Sequence, residues 1–170
     1  MTLFAQGFAP AFRRAAGALA IAAVALPLAA CSDEGRLVLH SSTGDYSFHV
    51  DVVDTPESRA KGLMFVQELA DDAGMLFDFK EERPVSFWMR NTFIPLDMIF
   101  VGADGVVKTI HVNARPHDIT SIPSEVPVQF VLEIPGGRSV EIGLKPGDTM
   151  EHERVGAPVI NIHHSFLPAF

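Results

Sequence analysis

Residues 87 to 100 read FWMRNTFIPLDMIF, and the rest of the chain is interpreted outward from this stretch. It contains the only tryptophan of the chain, Trp88. With the period-two alternation of a β-strand, Phe87 and Met89 point to one side and Trp88 and Arg90 to the other. A second alternating run follows a few residues later, so the stretch predicts two strands, with apolar side chains on the face toward the core.

The residues between the two runs, Asn91 to Pro95, predict a hairpin connection, since proline is tolerated where a strand begins. A hairpin centred between Phe93 and Ile94 sets Arg90 opposite Asp97, and opposite charges facing across a strand pair contribute roughly 0.2 to 1 kcal/mol. The sequence leaves the register of this pairing open.

Four further motifs accompany the opening stretch: RAKGLMF at 59–65, GMLFDF at 74–79, VLEIPGG at 131–137 and GLKPGD at 143–148. Together they resemble the domain-of-unknown-function 192 family of bacteria and archaea, over roughly Val50 to Glu151. Arg90 stands where that family usually has lysine, and Val66 where a basic residue is common. The resemblance implies a mainly β fold, a jelly-roll-like antiparallel β-sandwich with one or two short helices, often in exported proteins. It supplies no catalytic residues.

The first thirty residues predict an export signal, with two arginines followed by an apolar run from Ala15 to Ala30. This run is shorter than the roughly 20 apolar residues of a membrane-spanning helix. The sequence Leu28-Ala29-Ala30-Cys31 is typical of a bacterial lipobox, which predicts a lipid on Cys31 as the membrane anchor. The alternative is ordinary cleavage nearby, with Cys31 incidental.

Residues 31–36 then form a tether, 37–154 a single β-sandwich domain, and 155–170 a tail that either lies across the domain or is poorly ordered. Leu37 to Leu39 and Tyr46 to Val53 predict two strands of a first hairpin, joined through the turn-rich residues 41–45. Thr55 and Pro56 predict the start of a short helix. Residues 113–127 predict a long surface loop. Ser32 after the lipobox favours the outer membrane of a Gram-negative cell envelope, with the domain facing the periplasm.

Charge limits the possible partners. Removing Arg13 and Arg14 with the signal leaves 11 basic and 21 acidic residues, a net charge of −10 for the mature chain. Such a charge disfavours nucleic acids and anionic lipid surfaces as ligands. Because Cys31 is the only cysteine, the folded domain is predicted to have no disulfide and no thiol chemistry.

A binding module is the leading hypothesis, since the usual hydrolase, metalloprotease, phosphate-loop and dinucleotide signatures are absent from the sequence. No cofactor, metal site or catalytic residue is predicted. An envelope glycan, peptide or protein would stack on an aromatic face and be oriented by charged groups. The alternative is a core role for the tryptophan and a cross-strand brace for the charge pair. The predicted binding surface combines the Trp88 face with the loop of residues 113–127. The candidate binding residues are Trp88, Arg90, Asn91, Asp97 and His117.

Two other functions stay open. One is an envelope hydrolase using Asp97 and Arg90, although the further carboxylates Asp118, Glu133 and Asp148 have no spacing that defines a catalytic pair. The other is copper handling, because thioethers and imidazole suit Cu(I). The methionines concerned lie at core-type positions near His111: Met64, Met75, Met89 and Met98.

Overall fold

The computed structural model describes residues 35 to 156. Within this range the chain forms nine strands and two short helices. Their bounds are β1 Arg36–Ser41, β2 Gly44–Val53, α1 Pro56–Lys61, β3 Ala73–Arg83, β4 Ser86–Phe87, β5 Leu96–Val101, β6 Val107–Ala114, β7 Ile122–Pro123, β8 Val128–Pro135, α2 Arg138–Glu141 and β9 Thr149–Glu151. The predicted mainly β class with one or two short helices is confirmed.

Seven strands form one curled sheet in the order β6-β5-β8-β3-β2-β1-β9. Its two ends meet, because Val106 bridges Thr149 and the Met150 amide donates to the Gly105 carbonyl at 2.8 Å. The pair β2–β3 is parallel, and the other pairs in this sheet are antiparallel. A parallel pair requires a crossover, and the segment that contains α1 supplies it.

Helix α1 begins where the sequence predicts. The Thr55 hydroxyl oxygen accepts a hydrogen bond from the Ser58 amide, and the Ser58 hydroxyl oxygen accepts one from the Thr55 amide. These two bonds make a capping box. Pro56 occupies the first turn, where its missing amide hydrogen is not needed. Gly62 ends the helix at a φ of 49°, and its amide donates to the Ser58 carbonyl.

Two groups of apolar side chains occupy opposite faces of the sheet. The inner core fills the curl and includes Phe48, Ile99 and Phe130, whereas the outer core covers the other face of β3, β5 and β8. Strand β5 alternates between them and is buried along its whole length. The outer core is closed by the segments that carry Met89 and Ile122, and these segments position the candidate site.

The hairpin predicted within residues 87–100 is wrong. Strand β4 pairs with β7, and β5 pairs with β6 and β8. The chain leaves the strand after Phe87 because Met89 turns inward, fully buried, and its amide donates to the Asp118 carbonyl at 2.8 Å. Asp97 therefore lies opposite Ile134, and the predicted pairing of Arg90 with Asp97 does not form.

The export signal, Cys31 and most of the tether lie outside the described residues, as do residues 157–170 of the tail. Val155, at the start of the predicted tail, is 8% exposed and belongs to the inner core. No helix between residues 35 and 156 is long and apolar enough to cross a membrane.

Candidate functional site

A cleft of about 430 Å³ opens between helix α1 and the segment that carries Trp88. We call it the Trp88 cleft. Its apolar lining includes Met64, Phe77 and Phe87. Thr92 and Glu133 contribute polar groups. Volumes of this size are typical of sites for small ligands or for short pieces of larger ones.

Trp88 and Arg90 lie together at this cleft. The tryptophan side chain is 47% exposed, and the Arg90 guanidinium carbon lies 4.4 Å from its ring centroid. Met89 between them is fully buried, which turns both neighbours toward solvent. The structure therefore has Met89 on the buried side and Trp88 and Arg90 on the solvent side, as predicted. The result is an aromatic surface with a cation held against it.

Two more guanidinium groups line the cleft, those of Arg59 and Arg83. Each guanidinium carbon lies 5.0 Å from the ring centroid of Phe79. Arg59 is held further, because its Nη1 donates to the carbonyl oxygens of Asp54 at 2.6 Å and Asp78 at 2.9 Å. These contacts restrain the long side chains, so less conformational entropy remains to be lost when a ligand binds.

Glu133 lies on β8 between Met75 of β3 and Met98 of β5, and it lines the cleft with only 4% of its surface exposed. No side chain or backbone group within residues 35–156 forms a hydrogen bond or ion pair with its carboxyl group. Burial raises the pKa of Glu133 to about 8. The carboxyl group is therefore mostly protonated at neutral pH, and it offers an O–H donor.

Sequence reasoning named Glu133 only as one of several unpaired carboxylates. A stronger signal was present, because VLEIP is apolar on both sides of the glutamate, as expected for a strand covered on both faces. An acidic residue inside such a strand must be buried, whichever face it points to. This reasoning identifies a perturbed group without knowledge of its spatial partners.

The charge of the cleft differs from that of the whole chain. Four cationic side chains line it, those of Arg59, Lys61, Arg83 and Arg90, and among residues 35–156 Glu133 is the only acidic one. The chain as a whole has a formal net charge of −8. The cleft is therefore a local cationic site on an acidic protein.

Asp97 does not reach this site. Its carboxylate is fully buried, and Oδ1 accepts from the amides of Asn113 at 2.7 Å and Gly137 at 2.8 Å. Its Oδ2 accepts from the amide and the hydroxyl of Ser139, at 2.7 and 2.6 Å. The N-cap position of α2 is glycine, which has no side chain, so Asp97 replaces the missing cap.

Asn91 borders the cleft, whereas His117 belongs to a neighbouring surface. Asn91 Nδ2 lies 3.9 Å from the sulfur of Met64, and the Asn91 carbonyl accepts from the Phe65 amide at 2.8 Å. The His117 ring lies 5.3 Å from the ring of Phe93, which in turn meets Phe65 at 6.1 Å. Of the five predicted residues, the structure brings Trp88, Arg90 and Asn91 together.

The long loop, residues 113–127, borders a second cavity of about 500 Å³. Its lining mixes His111, Arg115, Asp118 and Glu125 and has no single charge. The loop contains β7 and lies beside the tryptophan segment through the β4–β7 pair. Trp88 itself lines the other cavity, so the predicted joint surface consists of two separate hollows.

The methionines considered for copper binding are mostly core residues. Met75, Met89 and Met98 are between 0 and 9% exposed and pack in the outer core, whereas Met64 is partly exposed at the cleft. Within residues 35–156, no three histidine, cysteine or acidic side chains lie close enough together to hold a metal ion.

Comparison with known proteins gives a family match and two solved relatives. The DUF192 model, described as an uncharacterised ACR, matches residues 38–152. A crystal structure from Sinorhizobium meliloti 1021, described as "a putative transcription regulator", is similar with 44% identity and a TM-score of 0.67. That match covers 68% of this chain and 91% of the relative.

The second relative is a protein of unknown function from Novosphingobium aromaticivorans DSM 12444, with 44% identity and a TM-score of 0.68. The match covers 69% of this chain and 84% of the relative. No curated protein matches.

Proposed function

Because this chain belongs to the DUF192 family, whose members are uncharacterised, we propose its function from the geometry of the cleft. The protein is a membrane-tethered binding module that faces the periplasm and takes part of an envelope glycan, peptide or protein into the Trp88 cleft. The membrane anchor is the lipid on Cys31, and residues 31–36 are the tether. The observation that carries the proposal is the exposed tryptophan beside a concave site with a buried, unpartnered polar group.

Several features of the cleft support binding. The half-exposed Trp88 ring gains free energy when a ligand covers its apolar surface, and it offers a rigid face for a sugar ring or an apolar side chain. The arginines are already held against aromatic rings, which prepares them for hydrogen bonding to a ligand. The Glu133 carboxyl group lines the cleft without a hydrogen-bond partner among residues 35–156, so it is available to a ligand.

The sequence beside the lipobox fits a short tether. Only three residues separate Cys31 from Gly35, the first described residue of the domain. A lipid on Cys31 would therefore hold the domain close to the membrane surface. Such a location limits the accessible ligands to envelope components and proteins nearby.

Trp88 fluorescence tests the binding proposal directly, because it is the only tryptophan and reports on this cleft alone. Purified protein is titrated with a panel of envelope glycans and peptides. We expect a saturable change in emission for at least one member. Absence of any response, together with identical envelope pull-down partners for the wild-type protein and Trp88→Ala, contradicts the proposal.

A matched control distinguishes binding in the cleft from nonspecific binding to exposed apolar side chains. Ile119 is 70% exposed and does not line the Trp88 cleft. We expect Trp88→Ala to weaken binding of the responding ligand, measured by calorimetry, and Ile119→Ala to leave it unchanged.

The hydrolase alternative receives no support from the site. It requires Asp97 and Arg90 to act together, and Asp97 is buried with four donors on its carboxylate. The description of one relative as a transcription regulator is not carried over either. A net charge of −8 opposes the binding of DNA phosphates.

A further inference from the structure

We propose that the Trp88 cleft selects anionic ligands: a carboxylate or phosphate group enters it, accepts a hydrogen bond from the Glu133 carboxyl group, and is held by the arginines at the cleft. This inference rests on the proposed binding function and adds the chemical class of the ligand. The ligand's neutral body lies against Trp88.

The first argument is the balance of charge within the cleft. Arg59 and Lys61 come from α1, Arg83 from β3, and Arg90 from the segment after β4. The lining therefore contains four cationic side chains and one acidic group, which burial keeps neutral. A cationic ligand would have to pass these groups without a compensating anion, so an amine is disfavoured and an oxyanion favoured.

The second argument is the position of Glu133. Its neighbours on β3 and β5 are Met75 and Met98, which neither titrate nor accept strong hydrogen bonds. The remaining polar direction is the cleft, whose neutral polar lining groups are the hydroxyls of Ser86 and Thr92. A ligand oxygen in the cleft can accept the hydrogen bond of this carboxyl group, for which residues 35–156 supply no acceptor.

The third argument is the preparation of the arginines. Arg90 is stacked on Trp88, and Arg59 and Arg83 are stacked on Phe79. Nη1 of Arg59 already donates to two backbone carbonyls, whereas the guanidinium N–H groups of Arg83 and Arg90 donate to no group within residues 35–156 and can bind a planar carboxylate or phosphate. The cleft thus presents donors from several sides and has one aromatic wall for the body of the ligand.

The proposal couples binding to pH. Above pH 8 the Glu133 proton leaves, so the donor is lost and a buried negative charge faces the anionic ligand. Affinity for an anion therefore falls by about tenfold between pH 7 and pH 9.

Pairs of sugars that differ by one acidic substituent test the ligand class. N-acetylmuramic acid is compared with N-acetylglucosamine, and glucose 6-phosphate with glucose, by calorimetry at pH 7. We expect the acidic member of at least one pair to bind about tenfold or more tightly than its neutral partner. The two pairs show whether carboxylate or phosphate is preferred.

Equal or tighter binding of both neutral sugars overturns the inference, and so does a lack of binding by both acids. Either result leaves the binding function standing if another member of the envelope panel changes Trp88 fluorescence. Failure of the whole panel is a separate result that contradicts the binding function itself.

Glu133→Gln tests the role of the donor. Glutamine has nearly the same volume and donates through its amide at every pH. We expect the variant to bind the acidic sugar at pH 7 and to keep that affinity at pH 9, whereas the wild-type protein loses it. A pH-independent wild-type affinity, or loss of binding in a folded Glu133→Gln at pH 7, contradicts the proposal.

Arg90→Gln provides a second variant that does not disturb the core, because Arg90 is exposed. It should weaken binding of the acidic sugar by about tenfold and leave the neutral one unchanged. Arg115→Gln, in the lining of the second cavity, is the matched control and should change neither. Equal weakening by both variants contradicts a specific contact.

Discussion

Glu133 is enclosed by apolar strands on both sides, and its behaviour follows from that surrounding alone. Water is largely excluded, so the charged form loses its solvation and the neutral form is favoured. The alternation of the sequence also predicted that Trp88 and Arg90 face away from Met89, and this is what the structure has. The same alternation fails for Asp97, a candidate binding residue that is fully buried because β5 is covered on both faces.

Glu133 should make stability depend on pH. Its pKa is about 8 in the folded protein and 4.5 in an ordinary setting, so the folded state binds the proton more tightly. The stabilisation is complete below pH 4.5 and is lost as pH rises toward 8. The wild-type protein should lose up to about 5 kcal/mol over this range relative to Glu133→Gln.

Urea unfolding of both proteins at pH 5 and pH 9 measures this difference. Groups common to the two proteins cancel in the comparison. Parallel pH dependence of the wild-type protein and Glu133→Gln would show that the carboxyl group is solvated in the folded state.

Asp97 contributes to stability through its hydrogen bonds. Asp97→Ala leaves the buried amide and hydroxyl of Ser139 and the amides of Asn113 and Gly137 without their acceptor. We expect a loss of about 3 to 5 kcal/mol in the free energy of unfolding, measured with denaturant. Asp71→Ala, at an exposed position, is the control and should change it by less than about 0.5 kcal/mol.

The elements differ in how far local sequence could predict them. Helix α1 and the β1–β2 hairpin follow from a cap, a proline and a turn-rich connection, and both are present as predicted. Strand β4 is different, because alternation predicts which side a residue faces and not which strand it pairs with. Its partner is β7, more than thirty residues later, where the sequence predicted only loop.

Helix α1 should depend on its capping box. Thr55→Ala removes the acceptor of the Ser58 amide and should destabilise the protein by about 1 kcal/mol. Thr55→Ser keeps the hydroxyl group and should retain most of that stability. Since α1 carries Arg59 into the cleft, ligand affinity should fall in the alanine variant and be restored in the serine variant.

At the scale of the whole molecule, the curled sheet is closed between its first and last members in space. The sequence and its family resemblance predicted the mainly β class. The closure and the parallel β2–β3 pair depend on contacts between distant parts of the chain, which residue patterns do not specify. For the same reason the predicted joint surface of Trp88 and the long loop divides into two cavities.

Gly105 tests the closure. Its φ is 76°, and a Cβ atom there would lie 2.8 Å from the Met150 carbonyl oxygen, which is backbone and cannot move away easily. Gly147 also has a positive φ, 98°, but a Cβ atom there meets nothing within 4 Å. Gly105→Ala should therefore lower the free energy of unfolding by about 1 to 3 kcal/mol more than Gly147→Ala.

Denaturant unfolding of the two alanine variants measures this difference. Equal effects would mean that backbone strain alone accounts for both substitutions, and that the closure tolerates a methyl group.

The closure also sets an order for folding. Strand β1, the first of the domain, has β9 as its second neighbour, and β9 ends at Glu151. The sheet cannot be completed until nearly all of the described chain is available, so a shortened or partly synthesised chain presents an unpaired edge. Such edges recruit other strands. Pairing of β9 with β1 is thus a late step in folding, and it covers the β1 edge that would otherwise be open to aggregation.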